Sequence, residues 1–253
     1  MAENYNHSIS NSLFLVQQLD ELGYMVADKA GNVLTHGLIA AVDDEMLRAN
    51  LDSRFPLNQI YSKVNLIFSG NNFACVPPIF STNGQKKQIF ETSHSLKQDE
   101  SLLESSLNAE ITILFSVQTK LLDAFKKQYP TLEYHHETMP FFSFTISHST
   151  QSETAIYAKQ DGENLLLLVL KDKTVLLLNQ YQCGTVDDAF YFIMFTVEQL
   201  DLDNENLHLH WFENAAFSSS DTIESTFKNY IQYISIIKSN DLPHNVRMAL
   251  QCV

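Results

Sequence analysis

The chain of 253 residues sets 16 Lys and Arg against 30 Asp and Glu, a formal net charge of −14, which repels phosphate backbones and anionic lipid heads and so sets nucleic acid and membrane surfaces aside as partners. Hydrophobic residues make up 45% and aromatics 11%, enough apolar area for one large core or two medium ones without disulfide staples. Three cysteines, Cys75, Cys183 and Cys252, are odd in number and share no C-x-x-C spacing, so neither a disulfide framework nor a zinc knuckle follows; each sits among apolar neighbours and is expected as a buried, reduced thiol.

The polar N-terminus, Met1 to Ser12, lacks the basic-then-apolar order of a signal peptide, and the longest apolar runs, Leu165 to Leu170 and Val175 to Leu178, are of strand length. A cytoplasmic setting is the expectation. Lys86-Lys87 and Lys126-Lys127 are the densest positive clusters and read as solvated charge.

Apolar runs predict strands over Ser12 to Val16, Tyr24 to Ala27 and Val33 to Ala41, with Gly31 and Asn32 suited to a hairpin turn between the last two. A helix over Asp43 to Leu51 follows, its first turn acidic as the macrodipole favours. Val64 to Phe68 and Phe73 to Val76 read as a second hairpin about Ser69-Gly70-Asn71-Asn72, and the polar stretch 81–108 as a long excursion inserted into this half. A strand from Glu110 to Val117 leads to an amphipathic helix over Thr119 to Gln128, striped by Leu121, Leu122 and Phe125. Leu132 to His136 is a strand, and Phe141 to Ile146 a short helix or strand.

The polar run His148 to Glu153 breaks the pattern, and the same grammar then restarts. Thr154 to Ala158, Asn164 to Leu170 and Val175 to Tyr181 are strands, joined by turns at Asp161-Gly162 and Asp172-Lys173. Thr185 with Asp188 forms a capping box ahead of a helix carrying Val186, Phe190, Ile193, Val197 and Leu200 at helical spacing. A strand over Asn206 to Phe212, a helix opened by Asp221 and a strand over Tyr233 to Ile237 complete the series. Three hairpin-linked strands followed by alternating helices and strands describe a ribonuclease H-like unit. The expected class is therefore α/β (α+β), two such halves, 1–150 with an insertion near 81–108 and 151–253, in an actin-like ATPase architecture.

The residues also carry a resemblance. The segments Val175 to Phe212 (VLLLNQYQCGTVDDAFYFIMFTVEQLDLDNENLHLHWF), Asn65 to Phe80 and Ile113 to Met139, with the tail LPHNVRMALQC, resemble a bacterial family of unknown function whose fold is actin-like; Asn179, Asp188, Phe190 and Tyr191 look like its hallmarks. The resemblance implies a fold and brings no established activity.

An actin-like ATPase would hold ATP between its halves, backbone amides of two glycine-bearing hairpins cradling phosphates and acidic residues positioning Mg²⁺. The hairpins here make Asp28, Gly31, Asp161 and Gly162 the candidate cofactor-binding residues. Neither hairpin follows the Asp-x-Gly-Thr/Ser pattern of such enzymes, only 7 glycines occur, and a late glycine-rich adenosine segment is replaced by bulky residues around Trp211 to Ser220. ATP and Mg²⁺ are thus not expected, and the hairpin acids serve their turns.

His208 and His210, two apart on a strand, share a face, but spacing supplies no third ligand, so they read as solvent-facing and no metal is assigned. Adjacent His135 and His136 point to opposite faces. Asp187 and Asp188 complement a helix dipole, and the aromatic face of Tyr191, Phe192 and Phe195 reads as core. No G-x-S-x-G, Walker, H-E-x-x-H or paired C-x-x-C motif occurs, so no catalytic residue is assigned. A ribonuclease H-type nuclease would need carboxylates converging on metal, which the strand interiors do not supply. The expected role is a non-catalytic binding or assembly module that takes a protein partner or a second copy of itself. The alternative is a divergent nucleotide-binding phosphotransferase or ATPase using Asp28, Asp161 and hydroxyls of an interdomain cleft.

Overall fold

The computed structural model describes residues 11–18, 21–40, 44–54, 57–70, 72–82, 84–213, 219–238 and 244–252. In chain order, strands β1 (Ser12–Gln17), β2 (Glu21–Ala27) and β3 (Val33–Ala40) lead to helix α1 (Asp44–Ser53) and strand β4 (Lys63–Phe68). Then come β5 (Phe73–Val76), α2 (Pro78–Thr82), α3 (Lys86–Phe90), β6 (Glu100–Ser106), β7 (Thr112–Gln118), α4 (Thr119–Gln128), β8 (Leu132–His136) and α5 (Thr138–His148). The remainder comprises β9 (Thr154–Asp161), β10 (Asn164–Lys171), β11 (Thr174–Gln182), α6 (Val186–Gln199), β12 (Leu207–Phe212), α7 (Ser220–Phe227), β13 (Tyr233–Ile237) and α8 (His244–Met248), with a 3₁₀ turn over Ala249–Cys252.

The chain divides into two compact units, Met1–Ser143 with Asn245–Val253, and Phe144–His244. Each is built on one five-stranded sheet, ordered β3-β2-β1-β4-β8 in the first and β11-β10-β9-β12-β13 in the second. The pairings also repeat. The first three strands of each sheet are antiparallel neighbours, and the last two run parallel to the first strand, β1 in one unit and β9 in the other. Both units are therefore ribonuclease H-like. Their central strands are buried on both faces: β1, β4 and β9, which have parallel neighbours, and the antiparallel β10 are buried almost throughout. The edge strand β11 alternates instead.

In the second unit one sheet face offers Ile156, Ala158, Leu167, Leu209 and Trp211 to a layer of α6 and α7, whose Ala189, Ile193, Val197, Ile223 and Phe227 are buried against it. Each such large side chain contributes roughly 1.5–3 kcal/mol of transfer free energy. The opposite face carries Tyr157, His208, His210 and Phe212, the last 5.7 Å from the Phe144 ring. Helix α6 starts where the sequence predicts: the Thr185 hydroxyl oxygen accepts from the Asp188 amide, and Asp188 Oδ2 accepts from the Thr185 amide at 2.9 Å. Asp188 sits low in the carboxylate range because of its hydrogen bonds, the Thr185 hydroxyl first. Its contribution to capping is present above the ordinary carboxylate value, about pH 4, and fades as pH falls through the depressed value. Thr185→Ala is expected to lower stability by about 1 kcal/mol, read from the urea midpoint.

Several expectations need correction. Val64 to Phe68 and Phe73 to Val76 do not form a hairpin: β4 pairs in parallel with β1, whereas β5 pairs antiparallel with β7 in a separate three-stranded sheet, β5-β7-β6. The end of β4 is tied down elsewhere, Glu137 donating its amide to Phe68 O and accepting from Gly70 N through its carboxylate. The polar stretch 81–108 is not a plain excursion, since it supplies α3 and β6. Strand β6 looks polar because only one of its faces is covered: Leu103 and Ser105 are buried, Glu104 and Ser106 exposed. Phe90 of α3, Val76 and Leu114 make a small core there.

Phe141 to Ile146 is helical, within α5. Cys75 is exposed on β5, while Cys183 is buried as expected; the side chain of Cys252 lies outside the described residues. The expected second half, 151–253, includes the tail, yet from Asn245 the chain clusters with the first unit, where the 3₁₀ turn lies on β1 and β4 and Val246, Met248 and Ala249 are buried. Gly23 permits this closure, because a Cβ there would stand 2.9 Å from Val246 Cγ2.

Candidate functional site

The four hairpin residues fall in two turns. Asp28 closes on its own loop: Oδ1 accepts from Ala30 N at 2.8 Å and Asn32 N at 2.9 Å, and Oδ2 accepts from Asn32 Nδ2 at 2.9 Å. These bonds, the Asn32 side chain first, hold its carboxyl below the usual range. Gly31 supplies the left-handed residue of that turn, with φ of +83°. Asp161 ends β9, and Gly162 (φ +55°) turns the chain into β10. Gln160 Nε2 bridges this turn to the end of β11, donating to Gly162 O at 2.7 Å and Cys183 O at 2.8 Å.

The duplicated topology does not make these turns counterparts. Ala27 pairs with Ser12, and Ser12 with Lys63, so the β2–β3 turn lies by the N-terminal ends of β1 and β4. Asp161 pairs with Asn164, and Lys159 with Phe212, so the β9–β10 turn lies by the C-terminal ends of β9 and β12, the end where open α/β sheets bind ligands. The counterpart of Asp28-Gly31 is the Asp172-Lys173 turn, built with positive φ at both residues. The counterpart of Asp161-Gly162 is the connection from Gln17 to Glu21, whose residues 19 and 20 lie outside the described ones.

A more concentrated grouping lies at the opposite end of the second sheet. His208 and His210 do share a face of β12, and they are joined there by Glu153, the residue before β9. His210 Nε2 stands 3.0 Å and His208 Nδ1 3.5 Å from Glu153 Oε1, and the three ligand-capable atoms all lie within 4.8 Å of one another. Parallel pairing causes this: His208 opposes Ala155 and His210 opposes Tyr157, which places Glu153 on the same face by the two-residue repeat. Each side chain is held by a further group. The Tyr157 ring stacks on His210 at 4.6 Å and 17°, and Tyr233 stacks on His208 at 4.6 Å and 12°. Glu153 Oε2 accepts from Thr150 N at 2.9 Å and Oγ1 at 2.8 Å.

Burial alone would push the Glu153 carboxyl up, but the hydrogen bonds from Thr150 and His210 outweigh it and hold the group below its usual range. These histidines are not simply solvent-facing. Glu153 was missed because it read as part of a polar boundary, and the only sequence signal was its place directly before a buried strand.

His135 and His136 part company as their alternation requires. His136 is fully buried between Phe73 and Phe115, at 4.8 and 5.3 Å, while His135 Nδ1 lies 3.3 Å from Ser105 Oγ. Burial first, with Lys63 adding to it against Glu133, lowers the His135 pKa. The Cys183 thiol donates to Thr185 O and is pushed up to about 11 by burial first and then the Asp188 charge, so it is an inert structural thiol.

Of the three α6 aromatics expected as core, Phe192 is, packed against the second unit's cluster with its ring 4.5 Å from Tyr181, and the other two are not. Tyr191 is 60% and Phe195 43% exposed, their rings 15° from parallel and 6.0 Å apart. They flank a groove of about 510 Å³ floored by Phe190, Met194 and Leu202 and edged by Glu198 and Asp201.

Two ribonuclease H-like units in one chain define a protein of actin-like ATPase fold. The chain belongs to the family described as "Protein of unknown function (DUF3822)", which matches residues 3–234. Among solved structures it is similar to a Bacteroides thetaiotaomicron protein with an actin-like ATPase fold and unknown function, at 18% identity and a TM-score of 0.87, covering 99% of this chain and 98% of that one. It is also similar to a chain of the PilM–PilN type IV pilus biogenesis complex, at 8% identity and a TM-score of 0.53, covering 97% and 98%. At these identities both likenesses concern the fold alone. No curated protein matches the chain.

Proposed function

We propose that the chain is a binding or assembly module on an actin-like scaffold, engaging a protein through the aromatic face of α6 and using neither ATP nor Mg²⁺. The observation that carries this reading is the outward display of Tyr191 and Phe195 beside an apolar groove. Clustered exposed aromatics with a polar rim are the usual anchors of protein interfaces, and here the rim is acidic, favouring a partner with basic residues at the margin. The PilM–PilN complex is one instance of this scaffold within a protein assembly.

Asp28 supports the same reading from the other side, since its carboxylate is committed to its own turn rather than presented to a cation. The competing phosphotransferase or ATPase reading has in its favour the Asp161-Gly162 turn at the C-terminal strand ends. Among the described residues no helix is long and apolar enough to cross a membrane.

A photo-crosslinking residue at Glu198 is expected to yield one discrete protein adduct, either with a partner or with a second copy. Tyr191→Glu should abolish that adduct with the thermal midpoint unchanged, because the ring is mostly solvated. Persistence of the adduct in the variant, or tight uptake of Mg-ATP in a calorimetric titration, would overturn the reading.

A further inference from the structure

We propose that Glu153, His208 and His210 bind a divalent transition metal ion of the zinc class, through Oε1, Nδ1 and Nε2 respectively. Two imidazoles and a carboxylate form a donor set suited to Zn²⁺ and its borderline neighbours and a poor one for Mg²⁺ or Ca²⁺, which prefer all-oxygen surroundings. Ligands bonded at about 2.0–2.1 Å in a tetrahedron stand roughly 3.3–3.4 Å from one another. The observed separations from Glu153 Oε1, 3.0 and 3.5 Å, bracket that value, and the two ring nitrogens lie within 4.8 Å of each other, so binding draws the imidazoles together by side-chain rotation.

The arrangement is also fixed in advance, which distinguishes it from a chance meeting of surface groups. Both rings are clamped by tyrosines, Tyr157 and Tyr233, and the glutamate is oriented through its other oxygen by Thr150. The Glu153 main chain is itself held, its carbonyl accepting from Asp172 N at 3.1 Å. Solvent reaches the cluster along His208, whose side chain is 36% exposed, while Glu153 is 9% and His210 19% exposed. An ion thus has a way in, and three protein ligands leave a coordination position for water or a partner's side chain. Beside the cluster the Tyr157 hydroxyl is buried and makes no hydrogen bond within the described protein, a polar group that a water on the ion could satisfy. The site lies on the sheet face opposite the α6 and α7 layer, so it is independent of the aromatic groove.

The test uses untagged full-length protein stripped with a chelator, titrated with Zn²⁺ by calorimetry and with Co²⁺ by visible absorption. Wild type is expected to take up one equivalent and to show the d–d bands of a low-coordinate Co²⁺ centre. His210→Ala and Glu153→Gln should each weaken Zn²⁺ binding by at least about tenfold, the lower end of what disturbing even outer-sphere partners costs. His208→Gln, at the most exposed of the three positions, is the variant least able to disturb the fold and should do the same with an unchanged circular dichroism spectrum. Failure of wild type to bind Zn²⁺, or undiminished Zn²⁺ affinity and Co²⁺ bands in folded His208→Gln, would overturn the proposal.

Discussion

Trp211→Ala is expected to destabilise the protein by about 3–5 kcal/mol, a large part of the roughly 5–15 kcal/mol that holds a typical domain folded. Trp211 is 1% exposed and stands at the centre of the second unit's core, its ring 6.4 Å from Phe227, with Ile223 and Leu209 in the same cluster. Truncation removes the largest buried side chain and leaves a cavity that a sheet pinned on both sides cannot collapse into. It is the chain's single tryptophan, so wild-type unfolding can be followed by its fluorescence and both proteins by far-ultraviolet circular dichroism in urea. A shift below about 1 kcal/mol would place Trp211 outside a packed core, since surface changes stay within roughly ±0.5 kcal/mol.

The opposite sign is expected at Asn65. It lies on β4, paired with Phe14 on one side and Glu133 on the other, and is 0% exposed. Neither its Nδ2 nor its Oδ1 has a hydrogen-bond partner among the described residues. A buried polar group without a partner costs about 1–3 kcal/mol, and an apolar replacement of the same size removes that cost. Asn65→Leu should therefore raise stability by about that amount, seen as a higher urea midpoint at unchanged slope. A clear loss of stability would show instead that the amide is paired.

The second unit was legible nearly strand by strand because its turns and caps are local chemistry. Asp161-Gly162, Asp172-Lys173 and the Thr185-Asp188 box each act within a few residues, and each sits where its side chains predict. The β4–β5 connection misled for the complementary reason. Ser69 to Asn72 has the composition of a tight turn, but β4 is committed to β1 and β5 to β7, and neither partner leaves a trace in the four residues between them.

Long-range register hid the metal candidate in the same way. The two-residue spacing of His208 and His210 was visible, whereas the contact with Glu153 spans 57 residues of sequence and depends on β9 and β12 running parallel. The α6 aromatics failed on a different point. Helical period identifies a stripe, but residue type does not say whether protein lies opposite it. Ala189, Ile193 and Val197 face the sheet while Tyr191 and Phe195 face outward.

Because the 3₁₀ turn Ala249–Cys252 lies on β1 and β4, the second unit is an insertion between two parts of the first, and synthesis order and assembly order need not agree. On the ribosome, the second unit has all its strands before Val246, the tail residue packed at Gly23, has emerged. The unit begun first is thus the last to be finished, because β1 and β4 gain this cover only after every strand of the second unit has been made.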